Sequence, residues 1–308
     1  MENKLHISWS PHIHSSNSTM RTMLDVIIAL VPASVAAIIL FGIPALLVIA
    51  VCVVSAVAGE ALFNLAIKKE QTIGDLSAVV TGLILALNLP ANIPLWQAAV
   101  GSLFAIIIVK GIFGGLGKNI VNPAIAARVF MLIAFGSMTA AVFPKGLDAT
   151  SGATPLAELA QDKTLNLMDL FLGKCGGALG ETCALALLIG GVYLIVRKVI
   201  TWHIPVAFIG TTFLFTLALE GGNFETALAW VLSGGLMIGA FFMATDYVTS
   251  PSTVKGKLIF GIGAGVITVL IRFFGGYPEG VSFAILLMNI VNPYIDSLTP
   301  RKLFGGKK

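Results

Sequence analysis

Charged residues are scarce in this chain, and their scarcity excludes a soluble domain. They make up 11% of the 308 residues, while hydrophobic residues make up 57%. A soluble domain carries roughly a quarter charged residues, so the composition indicates an integral membrane protein. The net charge of +4 does not point to nucleic acid, because the lysines and arginines stand singly or in pairs between apolar runs, as in the cytoplasmic loops of membrane proteins.

Sequence motifs for metals and for nicotinamide are also lacking. Cys52, Cys175 and Cys183 form no C-x-x-C pair, which argues against an iron–sulfur cluster or a zinc site built from this chain alone. His12 and His14 could share one face of an extended segment, but without a third ligand we interpret them as surface residues. No G-x-G-x-x-G fingerprint follows a predicted strand, so nicotinamide chemistry is expected on a partner protein.

Apolar runs of membrane-spanning length follow a polar leader at 1–22. A helix needs about 20 residues to cross the hydrocarbon core. Ten runs qualify, at roughly 23–41, 44–67, 73–89, 95–113, 123–143, 180–196, 204–220, 226–244, 258–274 and 279–295. The sequence therefore predicts an all-α polytopic membrane protein with ten transmembrane helices in a single domain over 1–308. Abrupt polar and proline-containing helix ends in both parts of the chain suggest two structurally related halves.

The basic residues predict the orientation of these helices. With the N-terminus inside, fifteen lysines and arginines lie on inside segments, Lys110 and Arg128 among them, and four lie outside: Lys145, Lys163, Lys174 and Arg272. Inside loops collect positive charge, so both termini are expected inside. The leader at 1–22 is then cytoplasmic, and the long loop at 144–179 is extracytoplasmic.

This outer loop contains a hydroxyl motif, Asp-x-x-Ser-Gly-Ala-Thr, which ends at Thr154. Its other fixed positions are Asp148, Ser151, Gly152 and Ala153. Small side chains before the threonine allow another protein's active site to close over the backbone, and Pro155 is expected to keep this backbone extended. The pattern resembles the acceptor site of proteins that carry FMN covalently, in which a flavin transferase joins the flavin phosphate to the final threonine. The alternative is an ordinary loop built from common turn formers.

Acidic residues at or within the predicted helices are candidates for an ion path, because charge is costly in hydrocarbon. Five qualify: Asp25, Glu60, Asp75, Glu181 and Asp246. We select Glu60, Asp75 and Asp246 as candidates. The electrostatics of a helix N-terminus explain Asp75 and Glu181 equally well.

These features together resemble one family of membrane proteins, the NqrB/RnfD family. The residues that carry the resemblance are Ser10-Pro11-His12, the run from Asp75 to Gly82, Asn122-Pro123, Ala244-Thr245-Asp246 and the threonine motif. The family includes RnfD of the Rnf electron-transport complex and NqrB of the sodium-pumping NADH:quinone reductase. The resemblance covers essentially the whole chain, and the short leader favours the RnfD branch, since NqrB has a larger N-terminal region.

The resemblance implies a multi-pass component of the bacterial cytoplasmic membrane, in a complex that passes electrons between ferredoxin and NAD while moving Na+ or H+. It implies covalent FMN on Thr154, which is an anchor rather than a catalyst, and a second, non-covalent flavin resembling riboflavin. The expected partners are the other subunits of the complex and a flavin transferase, and no nucleic acid is expected. A flavin-free secondary transporter and a purely structural scaffold are the alternatives.

Overall fold

The computed structural model describes residues 18–139, 142–144, 153–161, 165–275 and 279–300. The described chain is helical: α1 Thr19–Phe41, α2 Ile43–Ala66, α3 Ser77–Leu87, α4 Leu95–Leu103, α5 Pro123–Ala134, α6 Pro155–Leu159, α7 Leu167–Leu172, α8 Ala184–Val196, α9 His203–Leu219, α10 Phe224–Leu232, α11 Leu236–Ile238, α12 Val254–Phe274 and α13 Val281–Leu298. Two of the helices continue as π-helix, α4 through Phe104–Gly111 and α11 through Gly239–Met243.

Several helices begin where the sequence supplies a capping side chain. Ser18, Asn122, Asn223 and Thr253 each accept a hydrogen bond from a backbone N–H in the first turn of the helix that follows. Such caps satisfy donors that have no partner within the helix and stabilise it by about 1 kcal/mol. The Asn-Pro pair at 122–123 acts in this way, because Pro123 occupies a position where no N–H is needed.

Helix length supports a polytopic membrane protein. Within the described ranges, four helices are long and apolar enough to cross a membrane: α1, α2, α12 and α13. α10 and α11 with its π-helical extension could form a fifth span, broken and bent by 67°, and five shorter apolar helices in the described ranges have 10–17 residues. Large apolar side chains cover the outside of these helices, with Ile39 73% and Leu298 80% exposed. Such a surface is suited to lipid rather than to water.

Two predictions made from hydropathy are wrong in detail. The run at 226–244 is not one helix, because Ser233, Gly234 and Gly235 separate α10 from α11, and Gly234 has a positive φ of 68°. Lys110, Arg128 and Arg272 do not lie in loops: each is at least 94% buried, in the π-helical part of α4, in α5 and in α12 respectively. Hydropathy averages over a window, and therefore detects neither a short break nor a single buried charge.

The helices pack so that α3 and α5 lie inside the bundle. Nine of the eleven residues of α3 are buried, and α3 contacts α1, α2 and α5. Around them α1 packs on α8, and α9 packs on α12, which also contacts α13. The α1–α8 contact is very close, because a Cβ added to Gly190 would overlap the backbone carbonyl of Ala29.

Candidate functional site

Thr154 lies at the start of α6, a five-residue helix. It is extended, with φ −65° and ψ 155°, and its Oγ1 accepts a hydrogen bond from Ala157 N at 3.3 Å. Pro155 does not prevent the helix, since it occupies the first helical position, where proline is tolerated. Ala153 and Thr154 are both half-buried, while Asp148, Ser151 and Gly152 lie outside the described residues.

The helix that begins after Thr154 packs on the break between α10 and α11. Leu156 and Leu159 of α6 are buried. A Cβ added to Gly234 would lie 2.6 Å from the Leu156 side chain, and one added to Gly235 would lie 2.6 Å from Glu279 Oε1. Gly234 and Gly235 therefore lie between α6 and a group of buried charges, and their backbone is what separates the two.

This group of charges centres on Arg128. Its Nη1 donates to Asn88 Oδ1, and its Nη2 donates to both Glu181 Oε1 and Glu279 Oε2. The two carboxyl groups precede α8 and α13, so one guanidinium on α5 connects the first and second halves of the chain. Burial raises the pKa of Glu279, in the loop before α13, to about 8, although the Arg128 charge opposes this increase. Repulsion from Glu181 adds to it.

The charges also match the electrostatics of the broken helix. Arg272 donates to Trp230 O at 2.6 Å and to Ser233 O at 3.1 Å, at the C-terminal end of α10. The carboxylates of Glu181 and Glu279 lie beside Gly235, at the N-terminal end of α11, together with the Arg128 guanidinium. A helix carries partial negative charge at its C-terminus, so Arg272 neutralises the new end of α10 inside the protein.

A second buried network joins Glu60 to Lys110. Lys110 Nζ donates to Glu60 Oε1 at 2.7 Å and to Ser77 Oγ at 2.6 Å. Thr72 Oγ1 donates to the same Glu60 oxygen at 2.7 Å and accepts from Asn64 Nδ2 at 3.0 Å. The other carboxylate oxygen of Glu60 is buried and has no hydrogen-bond partner among the described atoms.

Asp75 is attached to the edge of this network. Its Oδ1 accepts from Ser77 N at 2.8 Å and from Ser77 Oγ at 2.5 Å, so Asp75 caps the start of α3. Ser77 accepts from Lys110 in turn. Asp75 thus lies at the N-terminal end of α3, and one hydroxyl links it to the buried pair.

Asp246 lies on a separate wall, across a cavity of about 90 Å³ between the two halves. Thr249 Oγ1 donates to Asp246 Oδ2 at 3.1 Å. The cavity is lined by apolar, aromatic and polar groups from both halves, among them Ser77, Lys110, Asn122, Phe241, Phe242 and Asp246. Asn122 crosses between the halves, because its Nδ2 donates to Met243 O at 3.2 Å. The cavity is thus lined by Asp246 and by Ser77, the hydrogen-bond partner of Asp75. Glu60 contacts Lys110, which also lines this cavity.

Comparison with known protein families gives the same family as the sequence motifs, over nearly the whole chain. A model of the NQR2, RnfD, RnfE family matches residues 6–305. The chain belongs to this family. The resemblance inferred from the sequence motifs is thereby confirmed.

Individual members of the NQR2, RnfD, RnfE family align from end to end. The D subunit of the Na(+)-translocating ferredoxin:NAD(+) oxidoreductase complex of Acetobacterium woodii is 48% identical, and the alignment covers 100% of this chain and 97% of that protein. The D subunit of the proton-translocating ferredoxin:NAD(+) oxidoreductase complex of Clostridium ljungdahlii is 43% identical over 98% and 96%. The D subunit of the ion-translocating oxidoreductase complex of Escherichia coli K12 is 38% identical over 98% and 99%.

Sequence patterns alone do not reveal the partners of the buried charges. It selects Glu60 as a candidate but assigns Lys110 and Arg128 to loops, because each lies near the end of an apolar run. A signal is present: a basic residue flanked closely by Ile, Val or Ala inside such a run must find a partner within the protein.

Proposed function

We propose that this chain is the flavin-carrying membrane D subunit of an ion-translocating ferredoxin:NAD oxidoreductase. The observation that carries the proposal is the end-to-end similarity to two proteins named as the D subunit of such complexes, one Na(+)-translocating and one proton-translocating. The chain then acts as part of an oxidoreductase and translocase, together with the other subunits. Nicotinamide chemistry belongs to those subunits, as expected from the missing dinucleotide fingerprint.

Thr154 is the proposed attachment residue for covalent FMN. This residue is half-buried, with an extended backbone at the start of α6, and a flavin transferase is the proposed maturation partner. The proposal is supported by the position of α6, which begins after Thr154 and packs on the α10–α11 break through Leu156. Bound flavin supplies the redox chemistry, while the chain supplies position and electrostatic environment.

The cavity between the halves is the proposed site of the second, non-covalent flavin. Phe241 and Phe242 provide aromatic surface for a flat ring, and Asn122, Ser77 and Thr245 provide hydrogen-bonding groups. These residues would hold and orient the ring system within the bundle.

Glu60, Asp75 and Asp246 are the proposed residues of the ion path. Glu60 and Ser77, the capping partner of Asp75, contact one ammonium group, and Asp246 lines the same cavity as that ammonium. Glu60→Gln is expected to reduce ion uptake by vesicles containing the complex more than it reduces flavin content. Unchanged ion uptake would remove Glu60 from the path.

The proposal also includes ten transmembrane segments in the bacterial cytoplasmic membrane, arranged in two related halves. Both termini then lie on the cytoplasmic side, and the flavin loop lies on the outer side. The broken α10–α11 pair accounts for one span, and each half contains a π-helical segment. Shorter helices can complete a span where irregular backbone lies inside the protein rather than against lipid.

Intact mass of the chain purified from its native membrane tests this function against its alternatives. An oxidoreductase subunit with covalent FMN has the mass of the sequence plus one flavin phosphoester, and it fluoresces after denaturation. A secondary transporter or a structural scaffold has the unmodified mass and no flavin. The unmodified mass in an active complex would overturn the flavin assignment.

A further inference from the structure

The helices α9 and α12 lie side by side and run in the same direction. A Cβ added to Gly261 of α12 would lie 2.7 Å from the Ala207 side chain, and one added to Gly265, a turn later, would lie 2.8 Å from the Thr211 side chain. On the interior side this contact line is closed by Phe208, which is fully buried. Both helices therefore begin at the same end of the bundle, the end that is predicted to be cytoplasmic.

A groove follows the contact line on the outside of the bundle. On α9 an exposed stripe runs from Trp202, just before the helix, to Leu214, and on α12 a second exposed stripe contains Leu258 and Ile262. Residues three or four positions apart share one face of a helix, so the two stripes are the walls of the groove. Gly210 lies within the first stripe, and a Cβ added to it would have no neighbouring atom within 4 Å. The groove is therefore open to the outside at this glycine.

The length of the groove matches a lipid acyl chain in one leaflet. From position 202 to position 214 a helix rises about 18 Å, at about 1.5 Å per residue. One leaflet contributes half of a hydrocarbon core of roughly 30 Å. Tryptophan is enriched at the membrane–water interface, so Trp202 marks the end of the groove at which a headgroup is expected.

Lysine side chains surround this end of the groove. Lys198, in the turn before α9, is exposed, and so is Lys255, which lies three residues before Leu258 on the same face of α12. Lys257 Nζ donates to Thr201 Oγ1 at 3.1 Å and thereby joins the start of α12 to the turn before α9. The lysines of two separate elements thus lie at one headgroup position.

Neighbouring acidic residues do not neutralise the two exposed lysines. Asp25 accepts from Arg197, and Asp296 accepts from Ser252, while Asp246 lines the cavity between the halves. Within the described residues neither of the two lysines has an acidic partner. The first turn of α9 has no side-chain cap, and a helix N-terminus adds partial positive charge. The headgroup end of the groove is therefore complementary to an anion.

We propose that the groove between α9 and α12 binds an anionic phospholipid of the cytoplasmic leaflet. Lys198 and Lys255 contact its phosphate beside Trp202, and one acyl chain lies along the groove over Gly210. A zwitterionic phospholipid fits the apolar walls equally well but has no net negative charge for the lysines, so the site selects by headgroup. This binding goes beyond the proposed function, because neither electrons nor transported ions take part in it.

The test uses the purified, delipidated complex in detergent, titrated with phosphatidylglycerol or with phosphatidylcholine of the same acyl chains. Native mass spectrometry counts the bound lipids. Wild type is expected to bind phosphatidylglycerol at a several-fold lower concentration than phosphatidylcholine, and Lys198→Gln/Lys255→Gln is expected to lose most of this preference. Lys68→Gln/Lys118→Gln is the matched control, since both of its lysines are exposed, follow α2 and the π-helical end of α4, and Lys68 shares the positive φ of Lys198, 55° against 57°.

Gly210→Leu tests the acyl chain separately, because it fills the groove without changing the charge. It is expected to weaken binding of both lipids and to keep the headgroup preference. Unchanged binding by this variant would overturn the inference, as would an unchanged preference in Lys198→Gln/Lys255→Gln or an equal loss in the control. Loss of another subunit from Lys198→Gln/Lys255→Gln with an unchanged lipid count would assign the groove to a protein partner instead. No electron transfer is measured, so the outcome is independent of the proposed function.

Discussion

At the scale of single residues, the charges inside this protein are held by partners from distant parts of the sequence. Lys110 meets Glu60, and Arg128 meets Glu181 and Glu279. Glu279 is not among the acids identified from sequence, whereas Glu60 and Glu181 could be identified because charge in hydrocarbon is costly. Their partners could not, since a sequence gives no distance between residues that are 50 to 151 positions apart.

Replacement of Thr154 separates its hydroxyl from its role as a helix cap. Thr154→Ala is expected to lose covalent flavin and about 1 kcal/mol of capping stability. Thr154→Asn removes the hydroxyl but can still cap α6, so it is expected to lose flavin with little change in stability. Thr154→Ser, which keeps both functions, is the control. In-gel fluorescence and the unfolding temperature measure the two effects, and flavin retained by the Asn variant would show that Thr154 is not the attachment residue.

Removal of Arg128 is expected to destabilise the protein strongly. Arg128→Met leaves Glu181 and Glu279 without their shared guanidinium, and breaking a buried ion pair from one side costs about 3–5 kcal/mol. Combining it with Glu181→Gln and Glu279→Gln removes the uncompensated charge and is expected to recover much of the loss. Thermal unfolding in detergent measures both variants. Equal stability of the single and triple variants would mean that charge is not the cause.

At the scale of helices, the ends that could be predicted are those marked by local chemistry. The sequence predicts ends near Leu87 and Met243 and a start at Pro123, and the structure has all three. The sequence does not predict the α10–α11 break or the π-helical segments, because Ser-Gly-Gly equally suits close helix packing, and hydropathy contains no information on hydrogen-bond register.

Two glycine-to-alanine substitutions test the packing of α8 against α1. Gly190→Ala places a methyl group against the Ala29 carbonyl, and such overpacking costs about 1–3 kcal/mol. Gly210→Ala in α9 has no neighbouring atom within 4 Å of the new Cβ, so the higher helix propensity of alanine is expected to stabilise it by up to about 1 kcal/mol. Opposite changes in unfolding temperature are expected. A stabilised Gly190→Ala protein would contradict the close α1–α8 contact.

At the scale of the whole molecule, the predicted orientation rests on the basic residues other than the three that are buried within helices. The three buried residues Lys110, Arg128 and Arg272 no longer count, which leaves thirteen basic residues on the predicted inside and three outside. The bias is retained, and with it the prediction that the Thr154 loop lies outside. Electrons from a soluble cytoplasmic donor would then have to cross a core of roughly 30 Å, which requires an intermediate carrier.

Labelling of single cysteines tests the orientation. Cysteines at positions 163 and 255 are introduced into a background without Cys52, Cys175 and Cys183, and intact cells are treated with a membrane-impermeant thiol reagent. Position 163 is expected to react and position 255 to stay unlabelled until the membrane is permeabilised. The reverse pattern would invert the topology and the electron route together.

The central claim is that this chain carries electrons and couples their movement to an ion. The most direct test measures NAD reduction and ion uptake in the same vesicles, driven by reduced ferredoxin, with wild-type and Thr154→Asn complexes. Wild type is expected to reduce NAD and accumulate the ion together, and the Thr154→Asn complex, fully assembled, is expected to do neither. Sustained NAD reduction with coupled ion uptake in the Thr154→Asn complex would contradict the account.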